Sequence, residues 1–307
     1  MKSFKIIYEN VLRSLIQEGG NAVPNVDRIK RENIFKTVDA FKKEILSEFF
    51  GYVPTEKEMF LLGSTGKKAD SGDIDIGIDL NILKERNKIL NLIKLNEICS
   101  RNGYNSCVNS INLSMVHIVY PQVGEIGKNV QIDVLITECP AFAKFFMYSP
   151  MEGESKYKSA HRNTLFRAIL YCISYKPIEF DENKQPVRWN QFDINDSGIY
   201  MQLKTLIDEN GYRLLYKNTN EPLETSYAKV ERESLTTNDV DEAIRIMFGD
   251  GFQENELDTF EHVFEIISSD RRFKHKNLKD EIFRKAASEL KEAENRLDFP
   301  EELNNYL

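Results

Sequence analysis

The sequence holds one tryptophan, four histidines and four cysteines in 307 residues. Cys99, Cys107, Cys139 and Cys172 form no C-x-x-C pair, and no histidine cluster accompanies them. That spacing excludes structural zinc and a disulfide framework, and leaves buried free thiols. The opening stretch, MKSFKIIYENVLRSLIQEGG, has no apolar core of signal-peptide length. No run approaches the roughly 20 apolar residues of a membrane span, so a cytoplasmic protein is the expectation. Basic charge is not in excess either. Lys and Arg number 41 against 49 Asp and Glu, a formal net charge of -8. That balance excludes a wholesale basic nucleic-acid binder but permits a local basic groove on an acidic body. Internal repeats, low-complexity stretches and a Gly/Pro-rich linker are also missing.

What is present suffices for a folded protein. At 41% hydrophobic the chain can bury a sizeable core, and 307 residues allow two domains of ordinary size. Residues 1–50 read as helical. Within them Ile29, Ile34, Val38, Phe41, Ile45 and Phe49 recur at spacings of three to five and make one apolar stripe. Gly51 and Pro54 end that pattern. EMFLLG is a strand candidate, and residues 73–80 alternate strictly, as a half-buried strand does. NILKERNKILNLIKLNEICS is helical, and SMVHIVYP and NVQIDVLIT are two more strands. After Pro140 the character changes. FRAILYCISYK is an amphipathic helix, and PIEFDENKQPVRWNQFDIN reads as a hairpin or ordered loop turning near Asn183 and Pro186. From about 235 onward the pattern is helical, with Asn238 and Asn255 as N-cap candidates. The expected fold is α+β: a mixed sheet flanked by helices over 1–150, then a mostly helical domain over 151–307. The two parts are expected to pack together, with Trp189 between them.

The stretch LLGSTGKKADSGDIDIGID concentrates the chemistry. Along its strand Asp73, Asp75, Gly77 and Asp79 share one face, while Ile74, Ile76, Ile78 and Leu80 share the other. Asp73 and Asp75 are about 7 Å apart along the backbone and can converge on one cation; Asp79 lies about 13 Å beyond Asp75 and cannot join them. Alone, an Asp-x-Asp pair also fits a polar strand face in solvent. Two adjacent carboxylates repel, so one is expected to take up a proton unless a cation intervenes. Hard oxygen ligands suit Mg²⁺ or Mn²⁺. Gly63 permits a close backbone approach to a phosphate, Ser64 and the following amides can donate to it, and Lys67 and Lys68 add positive charge. A third carboxylate, Asp133, sits in VQIDVLIT on the face opposite Val130, Ile132, Val134 and Ile136. Three carboxylates beside a phosphate loop form a two-metal arrangement, one ion for a triphosphate and one for an attacking hydroxyl.

This pattern resembles the signature of the DNA polymerase β-like nucleotidyltransferase superfamily: an apolar strand, Gly-Ser, a loop of about ten residues, an Asp-apolar-Asp pair, and a third Asp on a later strand. Gly63 and Ser64 match the Gly-Ser, Asp73 and Asp75 the pair, and Asp133 the third acid, over roughly residues 35–140. The 58 positions from Asp75 to Asp133, with a full helix among them, are similar to the archaeal CCA-adding, poly(A) polymerase and oligoadenylate synthase branch. The resemblance implies transfer of a nucleoside monophosphate from an NTP to an acceptor hydroxyl, with release of pyrophosphate. It assigns Asp73 and Asp75 to both metals and Asp133 to the catalytic one.

Two basic stretches follow in the second half. Archaeal CCA-adding enzymes carry Ser-Ala-x-x-Arg-Thr after the palm to help hold the triphosphate, and SAHRNT is similar, with Asn163 inserted before Thr164. Lys156, Tyr157, His161 and Arg162 are therefore triphosphate or base candidates. A solvated helix start, with His161 as a cap or in a polar pocket, is the alternative. DRRFKHKNLKDEIFRK supplies Arg271, Arg272 and Lys274 as candidates for an acceptor's phosphates, with Phe273 as a stacking candidate; a solvated turn between helices fits as well. His117, on an apolar strand, is expected to pack there. Three functions are compatible with these residues: nucleotide addition to an RNA end, tRNA-like in kind; synthesis of oligo- or cyclic-nucleotide signals or modification of a small molecule or protein; and a non-catalytic nucleotide- or RNA-binding module.

Overall fold

A computed structural model describes residues 23–109, 115–181, 184–207, 227–274, 277–292 and 297–307. The chain divides into two units, Met1–Glu154 and Ser155–Leu307.

The first unit is built on a five-stranded mixed sheet in the order β2-β4-β7-β6-β5. Its strands are β2 (Met59–Leu61), β4 (Asp73–Asp79), β5 (Ser106–Val108), β6 (Met115–Pro121) and β7 (Asn129–Thr137). Only β4 and β7 run parallel, and their connection passes through helix α3 (Lys88–Arg101) and the β5–β6 pair, as a parallel crossover requires. One face of the sheet is continuous hydrocarbon. Ile74, Ile76 and Ile78 of β4 and Val130, Ile132, Val134 and Ile136 of β7 are fully buried there, with Leu92 and Leu95 of α3. Each such side chain contributes about 1.5–3 kcal/mol on burial. The expected apolar stripe also joins this core. Helix α1 (Arg31–Phe41), a π-helical segment over Lys42–Leu46 and the short α2 (Ser47–Phe50) follow one another, and bury Ile34, Val38, Phe41, Ile45 and Phe49. Gly51, at φ 83°, ends the run in the left-handed conformation. Ile29 departs from the helical reading: it belongs to β1 (Ile29–Lys30), which pairs with β3 (Asp70–Ser71). The helix expected over 1–22 lies outside the described residues.

Helix α4 (Pro140–Phe146) lies near the end of the first unit, and the second unit starts with helix α5 (Ser159–Ser174). The hairpin expected after it is present as β8 (Lys176–Phe180) and β9 (Pro186–Asn195). Two strands that the sequence reading did not anticipate, β10 (Gly198–Ile207) and β11 (Tyr227–Thr237), extend it to a four-stranded antiparallel sheet. The helical reading holds again from Val240: α6 (Val240–Phe248), α7 (Phe260–Ser269), α8 (Arg271–Lys274) and α9 (Leu278–Glu292). Their caps differ from expectation. Asp239 rather than Asn238 accepts from the Glu242 amide, and Thr259 accepts from the His262 amide; Asn255 lies inside a 3₁₀ turn, Glu254–Leu257. Trp189 stands on β9, where its indole N–H donates to the Gln191 side chain at 2.7 Å and its ring lies 6.1 Å from that of Tyr175. None of the four cysteines is in a disulfide; Cys99 is buried as expected, whereas Cys107, Cys139 and Cys172 are only half-buried. Among the described residues no helix is long and apolar enough to cross a membrane.

Candidate active site

The sheet's second face in the first unit carries the polar chemistry. Alternation puts Asp73 and Asp75 there, because the isoleucines between them are drawn into the core. On the neighbouring parallel strand Asp133 is directly opposite Asp75. The three carboxylates offer ligand atoms that all lie within 4.8 Å of one another. The expected convergence is therefore met, and Asp79 is excluded as expected: its carboxylate accepts from the amide and side chain of Asn81 and starts the turn after β4.

The loop before the strand is fitted to one of these acids. Gly63 has φ 58°, and a Cβ built on it would lie 2.1 Å from Oδ2 of Asp75. The glycine thus admits the Asp75 carboxylate itself, a reason that the sequence reading, which invoked a phosphate, did not find. Two further bonds tie loop and strand together. The Leu62 amide donates to the Asp75 carbonyl at 3.0 Å, and the Asp75 amide donates to Oγ1 of Thr65 at 2.8 Å. Thr65, buried at 5% exposure, was missed from sequence, although a hydroxyl directly after Gly-Ser was a visible signal. The Ser64 hydroxyl lies 3.3 Å from that of Ser71. Lys67 donates to the Ser149 carbonyl at 2.7 Å and sits 4.1 Å above the Tyr148 ring, so its ammonium also braces the loop. Lys68 is half-buried beside it.

Electrostatically the cluster is under load. Burial, then the charges of Asp73 and Asp133, push the Asp75 carboxyl well above the ordinary carboxylate range. Asp133 is held from its own sheet: His117 Nδ1 lies 2.8 Å from its Oδ1, and Gln131 Nε2 lies 2.9 and 3.0 Å from its two oxygens. His117 thus packs on its strand as expected, and adds a polar contact that its apolar neighbours concealed.

The second-unit candidates have varied settings. His161 caps α5, with Nδ1 accepting from the Lys158 amide at 3.1 Å and Nε2 2.7 Å from the Asp298 carbonyl. Arg162 is 1% exposed. Its guanidinium contacts the side chain of Asn163 and the carbonyl of Leu257, and lies over the Phe166 ring. Both head groups are enclosed in their own unit. The Tyr157 hydroxyl donates to Glu302, which also pairs with Lys156 at 3.2 Å. Arg271 is exposed at the start of α8, Arg272 is paired with Asp270 at 2.7 Å, and Lys274 ends the helix. Phe273 is buried, its ring 6.1 Å from that of Phe248, so packing replaces the stacking role expected of it.

Chemically, three convergent carboxylates can hold hard divalent cations. The glycine cradle fixes one of them, and the load on Asp75 is the kind that a cation relieves. No protein-family model matches the sequence, and no curated protein matches it. Among solved structures the chain is similar to Leishmania infantum polymerase β in a ternary complex, at 15% identity and a TM-score of 0.41, covering 81% of this chain and 86% of that one. It is also similar to Cid1, an RNA terminal uridylyl transferase, at 12% identity and a TM-score of 0.28, covering 65% of this chain and 61% of that one.

Proposed function

We propose that the first unit is the catalytic palm of a polymerase β-like nucleotidyltransferase, moving a nucleoside monophosphate from an NTP to an acceptor hydroxyl. One observation carries the reading: Asp73, Asp75 and Asp133 converge within 4.8 Å beside a Gly-Ser loop. Asp73 and Asp75 would hold two ions, and Asp133 the one on the acceptor's side. Magnesium or manganese bound there supplies charge neutralisation for the triphosphate and acidifies the attacking hydroxyl.

The protein's own residues do the rest. Ser64 and the amides after Gly63 bind the β- and γ-phosphates, and Lys68 adds charge at the loop. The rigid β4–β7 pair aligns the acceptor oxygen with the α-phosphorus. The new O–P bond forms as the bond to the bridging oxygen breaks, and pyrophosphate leaves. Asp133 receives the hydroxyl proton. Tyr157, His161 and Arg162 are all enclosed in the second unit, so the triphosphate reading rests on the loop.

For the acceptor we read an RNA 3′ end, with Arg271, Arg272 and Lys274 meeting its phosphates. Pyrophosphate release from each NTP, with Mg²⁺ and total RNA, tests the reaction; Asp73→Asn should abolish it while the protein stays folded. Replacing Arg271, Arg272 and Lys274 by alanine should weaken RNA binding and flatten its salt dependence, because each phosphate contact releases counterions. Unchanged RNA affinity in that variant would favour a signal-synthesising or small-molecule enzyme.

A further inference from the structure

Across the first-unit sheet, four residues stand opposite one another in one row: Asp75, Asp133, His117 and Cys107. The row passes from the acid pair to a histidine that is 3% exposed. A carboxylate only accepts, so the contact at 2.8 Å makes Nδ1 of His117 the donor to Oδ1 of Asp133. The opposite nitrogen, Nε2, lies 3.3 Å from the side-chain nitrogen of Asn109. A ring with its proton on Nδ1 satisfies both contacts, as an imidazole held in one orientation by its far nitrogen does.

Gln131, two positions before Asp133 and fully buried, completes the bracket. Its amide N–H group bridges both carboxylate oxygens, at 2.9 and 3.0 Å. Among the described residues its own carbonyl oxygen is buried without a hydrogen-bond partner. Leaving a buried acceptor in that state is unfavourable, so the orientation of this amide is set by the carboxylate. Among the described residues Oδ1 accepts from two residues and Oδ2 only from the longer arm of the bridge. Oδ2 therefore keeps the larger free lone-pair capacity.

We propose that His117, steadied by Asn109 and joined by Gln131, is a positioning residue that locks the Asp133 carboxylate with Oδ2 turned out as the oxygen offered to a divalent cation. The inference rests on the metal-binding reading of the three acids and assigns this chain its own means of orienting the third. Groups that orient a metal-binding side chain from behind typically govern metal affinity by about 10–100-fold.

The test is Mn²⁺ binding to the full chain, followed by electron paramagnetic resonance without nucleotide or acceptor. His117→Leu and His117→Phe remove the donor and should weaken Mn²⁺ binding by about tenfold or more. His117→Asn, nearly the shape of leucine but with a nitrogen where Nδ1 stood, should bind close to wild type. That rescue is a readout that a purely packing role would not produce. Asp133→Asn is the reference. If wild type binds no Mn²⁺, or Asp133→Asn binds as wild type, the metal centre itself falls, and with it the functional reading. If Asp133→Asn loses binding while His117→Leu and His117→Phe keep it, only the role of His117 is overturned. Equal weakening in the asparagine and leucine variants, or failure of both donor-less variants to fold, would also overturn it, since the ring would then serve packing alone.

Discussion

Replacing Gly63 by alanine should damage the site and the fold by separable amounts. The new Cβ would stand 2.1 Å from Oδ2 of Asp75 and 3.1 Å from its Cγ. Ordinary carbon–oxygen contacts begin near 3.3 Å, so about 1.2 Å must be opened by turning the carboxylate away or lifting the loop. Backbone strain adds to this, because a residue with a Cβ at φ 58° pays roughly 1–2 kcal/mol. For a unit of this size each kcal/mol lowers the melting temperature by roughly 2–4 °C, so the strain alone lowers it by about 2–8 °C and the clash lowers it further. Gly51 provides the control. It too has positive φ, 83°, but a Cβ there meets nothing within 4 Å. Gly51→Ala should therefore cost the backbone strain alone and leave Mn²⁺ binding intact, whereas Gly63→Ala should weaken binding about tenfold or more, as loss of a ligand's orientation does. Calorimetry and Mn²⁺ titration on both variants decide the matter. Wild-type Mn²⁺ affinity in Gly63→Ala would refute the claim that this glycine exists to admit the Asp75 carboxylate.

Two further outcomes follow from burial. Because the Asp75 carboxyl is raised in the folded protein by burial and by Asp73 and Asp133, its protonated form favours folding. That contribution is whole below the unfolded value of about 3.9 and is lost as pH rises through the folded value. In chelator, wild type should thus lose stability relative to Asp75→Asn as pH rises from 4 to 8, and Mg²⁺ should restore it only in wild type; parallel melting curves would contradict this. Arg162→Met removes the guanidinium contacts with Asn163 and the Leu257 carbonyl, so melting should show a loss of about 1–3 kcal/mol, while an unchanged melting temperature would mean that this arginine does not brace the unit.

Much of the first unit was legible because its strands alternate cleanly. Ile74, Ile76 and Ile78 against Asp73, Asp75 and Asp79 fix both the strand and its inner face, and the same parity locates Asp133. What parity cannot give is which strands are neighbours, so the direct pairing of Asp133 with Asp75, and of His117 with Asp133, emerges only from the sheet order. Gly63 was singled out for a phosphate's approach; its fit to the Asp75 carboxylate was not visible, since the shape of a cradle depends on a side chain twelve positions later. In the second unit β11 reads YAKVERESLTT, rich in charge and poor in apolar residues, and offers little to a hydrophobic pattern. Arg162 and His161 resembled ligand-binding residues by their motif. Burial, invisible in a local pattern, turns both into the unit's own interior bonds.

Attack on the α-phosphate at the three carboxylates can be followed by supplying wild type and Asp75→Asn with each NTP labelled in turn on the α- and γ-phosphorus, with Mg²⁺ and total RNA. Wild type should place α-label in the product and release γ-label as pyrophosphate, and Asp75→Asn should do neither. Transfer of the γ-label, or wild-type turnover in Asp75→Asn, would contradict it.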